Sequence, residues 1–306
     1  MARLLQQVRE SMDQNINPPS TQPSGAEMIS CLVCGGRYES SPISGLLYCS
    51  SCGFTSADVH MSDEEFHSLY GEDYFHGREY LDYVAEEDSL RLNFKRRISV
   101  LKSLVPDLSA AELFEIGCAY GFFLDEMKSM VKQASGIDIS AEAVRYAVDK
   151  LHAKASLGDY LTFDIGRQVD VVTMWDTIEH LKRPDLFVQK AAGDLKVGGI
   201  LAITTGDIGS LNARLRGAAW RMIHPPTHMH YFSTATLSKL LVRNGFQIVH
   251  VSHPGNSRRV RSILFFLLML KSKHPKLYGW LEKVPMANAR VTLNLYDIMF
   301  VVGRKQ

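Results

Sequence analysis

From about residue 110 the chain alternates short apolar runs with stretches of helical period. The runs are AELFEIG (111–117), QASGIDI (133–139), KASLGDY (154–160), VDVVTMW (169–175), GGILAITT (198–205), FQIVHVS (246–252) and YDIMFVV (296–302). Each is strand-length, rich in branched or aromatic side chains, and bounded by polar or glycine-containing segments, so each predicts a strand. Between them lie stretches such as AEAVRYAVDKLH (141–152), whose apolar positions recur every three or four residues behind a capping Ser140. Strands alternating with helices predict a mostly parallel sheet covered by helices on both faces. Ligands in such sheets bind beyond the carboxyl ends of the strands, where the strand order reverses. The ends of the first, second and fourth runs are therefore the places to search.

Upstream the pattern breaks. Residues 1–28, rich in Gln, Asn, Pro and Ser, predict a flexible tail. Residues 58–100 predict a helical linker that starts at Ser62 with Glu65 three positions on. Its aromatics (Phe66, Tyr70, Tyr74, Phe75, Tyr80, Tyr83) read either as packing or as a lid over a ligand.

Between these two segments, at 29–57, four of the five cysteines fall in two Cys-x2-Cys knuckles, Cys31/Cys34 and Cys49/Cys52, each followed by glycine. Two thiolates three positions apart grip one ion only if the backbone turns sharply, and glycine permits that turn. Four soft ligands suit a tetrahedral Zn²⁺, and disulfides fit poorly in a reducing compartment. The pattern looks like a zinc ribbon with a closed, structural site.

At the end of the first predicted strand the sequence reads LFEIGCAYGFFL. A dinucleotide-binding loop counted from Gly117 would need its third glycine at Phe122, which disfavours a nicotinamide-dependent oxidoreductase. The spacing Glu115-x-Gly117-x-Ala119-x-Gly121 instead resembles the cofactor loop of class I S-adenosylmethionine-dependent methyltransferases, with Ala119 where the family carries glycine and Cys118 as a small apolar neighbour. Further matches follow in order. GIDIS places Asp138 and Ile139 at the ribose position, Asp159 and Tyr160 fall on the adenine side, and Trp175 and Asp176 end the fourth strand. Gly198-Gly199 matches the turn into the fifth strand. The resemblance implies a Rossmann-like seven-stranded methyltransferase sheet with its last strand antiparallel over 101–306, interrupted by a basic insertion at about 255–290. It also implies S-adenosylmethionine as cofactor. More narrowly, the zinc ribbon, the aromatic linker and HPPTHMHYFS resemble bacterial methyltransferases of sugars and secondary metabolites. The acceptor implied is a small molecule or glycan, such as a nucleotide-sugar hydroxyl or carbon, with a quinone-like or lipid-linked acceptor as the alternative.

An alcohol acceptor profits from a base, since a hydroxyl is a poor nucleophile at neutral pH. Candidates are His180, just past the fourth strand, and His228 and His230, on an apparent loop after the fifth. Asp176, Glu179 and His180 share one face of a nascent helix, which reads either as a divalent-ion site or as a hydrogen-bonded turn.

Composition adds bounds. With 306 residues and 46% hydrophobic positions the chain can bury a core, and its net charge of +1 argues against coating nucleic acid. Arg37 is the one basic residue within the ribbon (31–52), which disfavours an RNA-modifying role. The N-terminus lacks the apolar core of a secretory signal, so a cytoplasmic location is expected. Charge is unevenly spread: Pro254 to Gln306 holds ten basic residues against Glu282 and Asp297, a local +8. Within it, 258–283 flank the apolar block Ile263 to Leu270 with Lys271, Lys273, Lys276, Trp280 and Lys283. Packing against the sheet, contact with a substrate diphosphate, and peripheral contact with the inner face of a membrane are three readings of this segment, in that order.

Overall fold

The structure, a computed structural model, describes residues 30–69, 83–271 and 274–306. The N-terminal tail, Tyr70, Tyr74, Phe75, Tyr80 and Lys273 lie outside the described residues. In chain order, strands β1 (Tyr38–Ser40), β2 (Leu46–Cys49) and β3 (Thr55–Ala57) precede helices α1 (Asp63–Leu69) and α2 (Glu87–Leu104). Then come β4 (Glu112–Ile116), α3 (Phe122–Met127), β5 (Gln133–Asp138), α4 (Ala141–Leu151), β6 (Lys154–Leu157), β7 (Val169–Trp175), α5 (Pro184–Asp194) and β8 (Leu195–Gly206). The chain continues through α6 (Leu211–Arg216), β9 (His230–Tyr231), α7 (Thr234–Arg243), β10 (Phe246–Ser252) and β11 (Asn256–Arg259). It ends with α8 (Val260–Phe265), α9 (Pro275–Leu281), β12 (Arg290–Leu293) and β13 (Ile298–Lys305).

Seven strands form the central sheet in the order β10-β13-β8-β7-β4-β5-β6. Strands β4 to β8 run parallel, and β13 enters antiparallel between β8 and β10. Each apolar run identified in the sequence supplies one of these strands. The order reverses at β4, which pairs β5 on one side and β7 on the other. That switch point opens a crevice at the carboxyl ends of β4, β5 and β7. Helix α4 begins where Ser140 Oγ accepts the Ala143 N–H and buries Ala143, Val144 and Ala147 against the sheet.

The cysteine-bearing segment is not a separate bead. Its sheet, β1-β2-β3, is completed by β9 from the C-terminal half of the chain, with Thr55 opposite Tyr231 and Ser56 opposite His230. Val33, Cys49 and Phe54 are fully buried in the same hydrophobic core as Phe232, Leu237 and Met299. Arg243 of α7 donates to the carbonyl of Val33.

The basic insertion packs on α2. Asn93 makes a two-way bond with the Ser257 backbone, accepting its N–H at 2.8 Å and donating to its carbonyl at 3.2 Å. The buried Glu86 carboxylate accepts from the Arg259 N–H and the Ser262 hydroxyl. Of the apolar block, Phe265 and Met269 are buried with Tyr278, whereas Leu267, Leu277 and Trp280 face outward. No helix among the described residues is long and apolar enough to cross a membrane.

Phe54 is the ring that joins the two sheets. Its replacement by alanine should destabilise the protein by about 3–5 kcal/mol, the usual cost of deleting a buried phenylalanine, read as a lowered urea midpoint.

Candidate active site

The turn between β4 and α3 is built to bring backbone close to β5 and β7. Gly117 and Cys118 donate their N–H groups to the Ile137 carbonyl at 2.9 and 3.1 Å. Gly117 has φ +75°, and a Cβ there would lie 2.6 Å from Thr177 Oγ1, so both conformation and space demand glycine. Ala119 takes φ 43°, a left-handed conformation costly for a residue with a Cβ. It is held there by its N–H, which Asp138 Oδ2 accepts at 2.8 Å. Asp138 Oδ1 accepts the Ser140 N–H at 2.9 Å. Burial raises the Asp138 carboxyl, against the pull of the Ser140 and Ala119 amides.

A cavity of about 400 Å³ opens over this turn. Gly117, Ala119, Asp138, Ile139, Asp159, Tyr160, Trp175, Asp176 and His180 line it, as do Phe66 and Tyr83 from the linker. Asp159 accepts the Leu161 N–H at 2.9 Å, and the Tyr160 hydroxyl donates to Asp194 at 2.6 Å.

Other expected positions lie elsewhere. Glu115 is buried behind the turn, where burial and then the Asp138 charge push its carboxyl well above the usual range. Cys118 is buried and packs towards Gly136, outside the cavity lining. Gly121 supports helix packing: a Cβ at its φ of +78° would meet Ala147 Cβ at 2.7 Å. Its place is fixed by the approach of α4.

The histidines separate too. His180 lines the cavity, and its Nδ1 sits 2.8 Å from the Thr227 carbonyl. His228 lies behind it, edge-to-face at 4.5 Å, with Nδ1 2.9 Å from the Met222 carbonyl. Burial, then the neighbouring His180 and His224, holds the His228 imidazole well below its ordinary range. His230 is farther still from the expected role. It stacks on Phe54 at 5.6 Å and meets Ser56 Oγ through Nδ1 at 3.1 Å, and burial pushes its pKa down to about 4. The expected face of Asp176, Glu179 and His180 is rearranged, because Asp176 is committed to Arg97. Glu179, His180 and His228 instead each present one ligand atom within 4.8 Å of the others and could hold a divalent ion.

Sequence reasoning missed Arg97. Its guanidinium donates to Asp176 Oδ2 at 2.7 Å and lies 5.1 Å from the Trp175 ring centre and 5.4 Å from that of Phe94. Burial opposes ionisation of Asp176, but Arg97 outweighs it and holds the carboxyl below its usual range. A signal existed: Arg97 falls on the buried face of α2 with Phe94, Ile98 and Leu101. A charge on an apolar stripe calls for a partner.

In the cysteine cluster, Cys31 Sγ lies 3.6 Å from Cys52 Sγ, and Cys34 Sγ lies 3.5 Å from Cys49 Sγ. All four ligand atoms lie within 4.8 Å of one another. Tetrahedral zinc with Zn–S near 2.3 Å sets sulfurs about 3.7 Å apart, so the quartet is compatible with a zinc ribbon. Burial works against thiolate formation at Cys34, but the Gly36 N–H and the neighbouring thiols bring it down to about 7.

A sequence profile described as methyltransferase domain matches residues 90–251, more than half of the chain. The chain belongs to the methyltransferase-domain family. Among its relatives, a ubiquinone biosynthesis O-methyltransferase of Nitrobacter winogradskyi is 32% identical over 105 residues, covering 32% of this chain and 40% of that one. A Mycobacterium tuberculosis protein assigned as an S-adenosylmethionine-dependent methyltransferase is 28% identical over 175 residues, 56% of this chain and 61% of that one. The chain thus spans less than two thirds of the length of these relatives. A Bacillus halodurans C-125 crystal structure, described as a candidate methyltransferase, overlays with a TM-score of 0.50 at 14% identity, over 68% of this chain and 99% of that one. At that identity the likeness concerns the fold.

In this methyltransferase domain the Gly117 turn should be intolerant of a side chain. Gly117→Ala should cost at least about 1–2 kcal/mol of stability from the left-handed backbone alone. Thr177→Ala in the same chain should recover part of the further loss by removing the clashing hydroxyl. Urea unfolding of the single and double variants checks both.

Proposed function

We propose that the protein transfers a methyl group from S-adenosylmethionine to a hydroxyl of a small-molecule acceptor. The observation that carries this reading is one continuous cavity wall that joins the Gly117–Ala119 turn and Asp138 to His180. Asp138 offers only acceptor atoms towards the cavity, which suits the vicinal hydroxyls of a ribose. Ile139, Asp159 and Tyr160 would flank the adenine, and the turn beside Trp175 and Asp176 would receive the methionine portion. When bound, the sulfonium supplies an electrophilic methyl group. The protein's part is to hold donor and acceptor in line and to receive the acceptor's proton. Among the described residues His180 is the histidine on the wall and takes that role. Its Nδ1 faces a carbonyl, which only accepts, so Nδ1 carries a proton, and in the neutral ring Nε2 would be the basic nitrogen.

Two acceptor classes have support. Aromatic walls from Phe66, Tyr83, Trp175 and Phe187, together with relatives described as ubiquinone biosynthesis O-methyltransferases, favour a hydroxylated ring. The cations Lys182 and Arg183 on the same wall favour a nucleotide-activated sugar. None of the insertion's described residues lines that wall: Lys276, Trp280 and Lys283 lie exposed on the surface, and Arg258 lines a small side pocket beside Asp176. A radiolabelled methyl-transfer assay over catechols and nucleotide-sugars decides between the two. Transfer to neither, with transfer to bulk RNA, would overturn the small-molecule reading.

S-adenosylhomocysteine should bind, and Asp138→Ala should weaken it by about 1.5–3 kcal/mol, the scale of hydrogen bonds to a charged group. Unchanged calorimetric affinity in that variant removes Asp138 from the ribose. We further infer that Cys31, Cys34, Cys49 and Cys52 hold one structural zinc. Metal analysis of the purified chain should find about one zinc per chain, lost in Cys49→Ser together with several kcal/mol of stability. A metal-free, fully folded protein would refute it.

A further inference from the structure

The segment that carries His180 is gripped from the cysteine module's side at several points. Strand β3, three residues after Cys52, pairs with β9, and Ala57 donates its N–H to the Met229 carbonyl at 2.8 Å. Met229 in turn donates its N–H to the carbonyl of Glu179 at 2.9 Å. Two residues upstream, the Thr227 carbonyl accepts from His180 Nδ1 at 2.8 Å. Lys182 reaches back across the other side, donating to the carbonyls of Met61 and Ser62 at 3.3 and 3.1 Å just beyond β3. The strap 227–231 is thus a continuous backbone bridge from the cysteine module to the loop 178–183.

His230 sits at the centre of that bridge. It is 7% exposed. Its ring is stacked on Phe54, its Nδ1 meets Ser56 Oγ, and the backbone of Lys182 and Leu181 faces it from the other side. Ser56 is held in turn by the Tyr38 hydroxyl at 3.1 Å. Neither Ser56 nor His230 lines the cavity, and the contacts described for them lie within the strap, the cysteine module and the loop 178–183.

We propose that His230 and Ser56 are positioning residues for His180, and that the cysteine module is the support that fixes the tautomer and direction of the acceptor-facing imidazole. The inference rests on the assignment of His180 above, but its geometry does not depend on which acceptor is used. A backbone carbonyl orients a ring only as firmly as the backbone itself is held. Thr227 lies on a segment with a single two-residue strand, so the pairing with β3 and the His230 wedge supply the rigidity. A catalytic imidazole that must present one nitrogen needs such support.

The test uses the full chain with histidine nitrogens labelled, with and without saturating S-adenosylhomocysteine. The His180 imidazole signal, assigned by its loss in His180→Asn, should report a proton on Nδ1 in the parent protein. In Ser56→Ala and His230→Phe that signal should shift to a mixture of tautomers. Amide exchange over 227–231 should accelerate at least about tenfold, while calorimetric affinity for S-adenosylhomocysteine stays within about twofold. Ser56→Thr, which keeps the hydroxyl, should retain the parent signal. An unchanged His180 signal despite accelerated exchange in the strap would overturn the proposal. So would a signal change accompanied by an equal loss of cofactor affinity, which marks a general loosening of the fold. If the parent chain fails to bind S-adenosylhomocysteine at all, the functional reading falls, while the signal measured without it still decides the positioning.

Discussion

The structure turns on one constraint: at the end of β4 the chain must reverse into α3 while lying against both β5 and β7. No ordinary side chain can occupy the inside of that turn. Gly117 meets this with a left-handed backbone and an absent Cβ, with Thr177 filling the space beside it. Gly121 meets it one turn later, where α4 comes within contact. Ala119 is the exception that shows how the constraint is satisfied elsewhere, since the Asp138 carboxylate holds its amide in place. The crevice and the position of the Asp138 carboxylate on its wall are therefore products of the same local geometry.

Around that turn the carboxylates are kept in different states by their surroundings. Glu115, sealed in the core, is driven towards its neutral form. Asp176, only half-buried and bonded to Arg97, is held below its usual carboxylate range. The Arg97–Asp176 pair costs desolvation and returns it through a short charge-assisted bond, a Thr204 hydroxyl at 3.0 Å and the faces of two aromatic rings. Its effect is to fix charge at the carboxyl end of β7, beside the cavity. It also withdraws Asp176 from the metal-like grouping that sequence spacing suggested and leaves His228 to meet Glu179 and His180.

The cysteine segment shows how an independent-looking motif becomes part of a site. Its two knuckles are brought together by the β1–β2 pairing, but its outer strand completes a sheet with β9, and its core is continuous with that of the methyltransferase domain. The histidine-rich strap between β8 and α7 then has one face towards the module and one towards the cavity wall.

Local periodicity was enough to determine the strands, their alternation with helices, the glycine turn and the cysteine quartet. Those features depend on neighbours in sequence: a side chain every second residue, a cap three positions away, a thiol three positions on. Gly117, Ala119 and Asp138 were singled out by the resemblance of LFEIGCAYGFFL and GIDIS to the methyltransferase family, and they converge because strand ends in a parallel sheet meet at the switch point. His180, just past the fourth strand, was marked as a candidate in the sequence and does line the cavity, whereas the surroundings of His228 and His230 were not legible there. Two of them are separated by one residue, yet one packs behind His180 and the other against Phe54, 176 positions upstream. His230 lies on the two-residue strand β9 and His228 on the loop before it, and what each meets is decided by the distant strand that pairs with β9. Arg97 was hidden likewise, as its partner lies 79 residues away. Tertiary pairing alone decided which charges and imidazoles reach the cavity, because burial and partner choice are set by elements the local pattern cannot see.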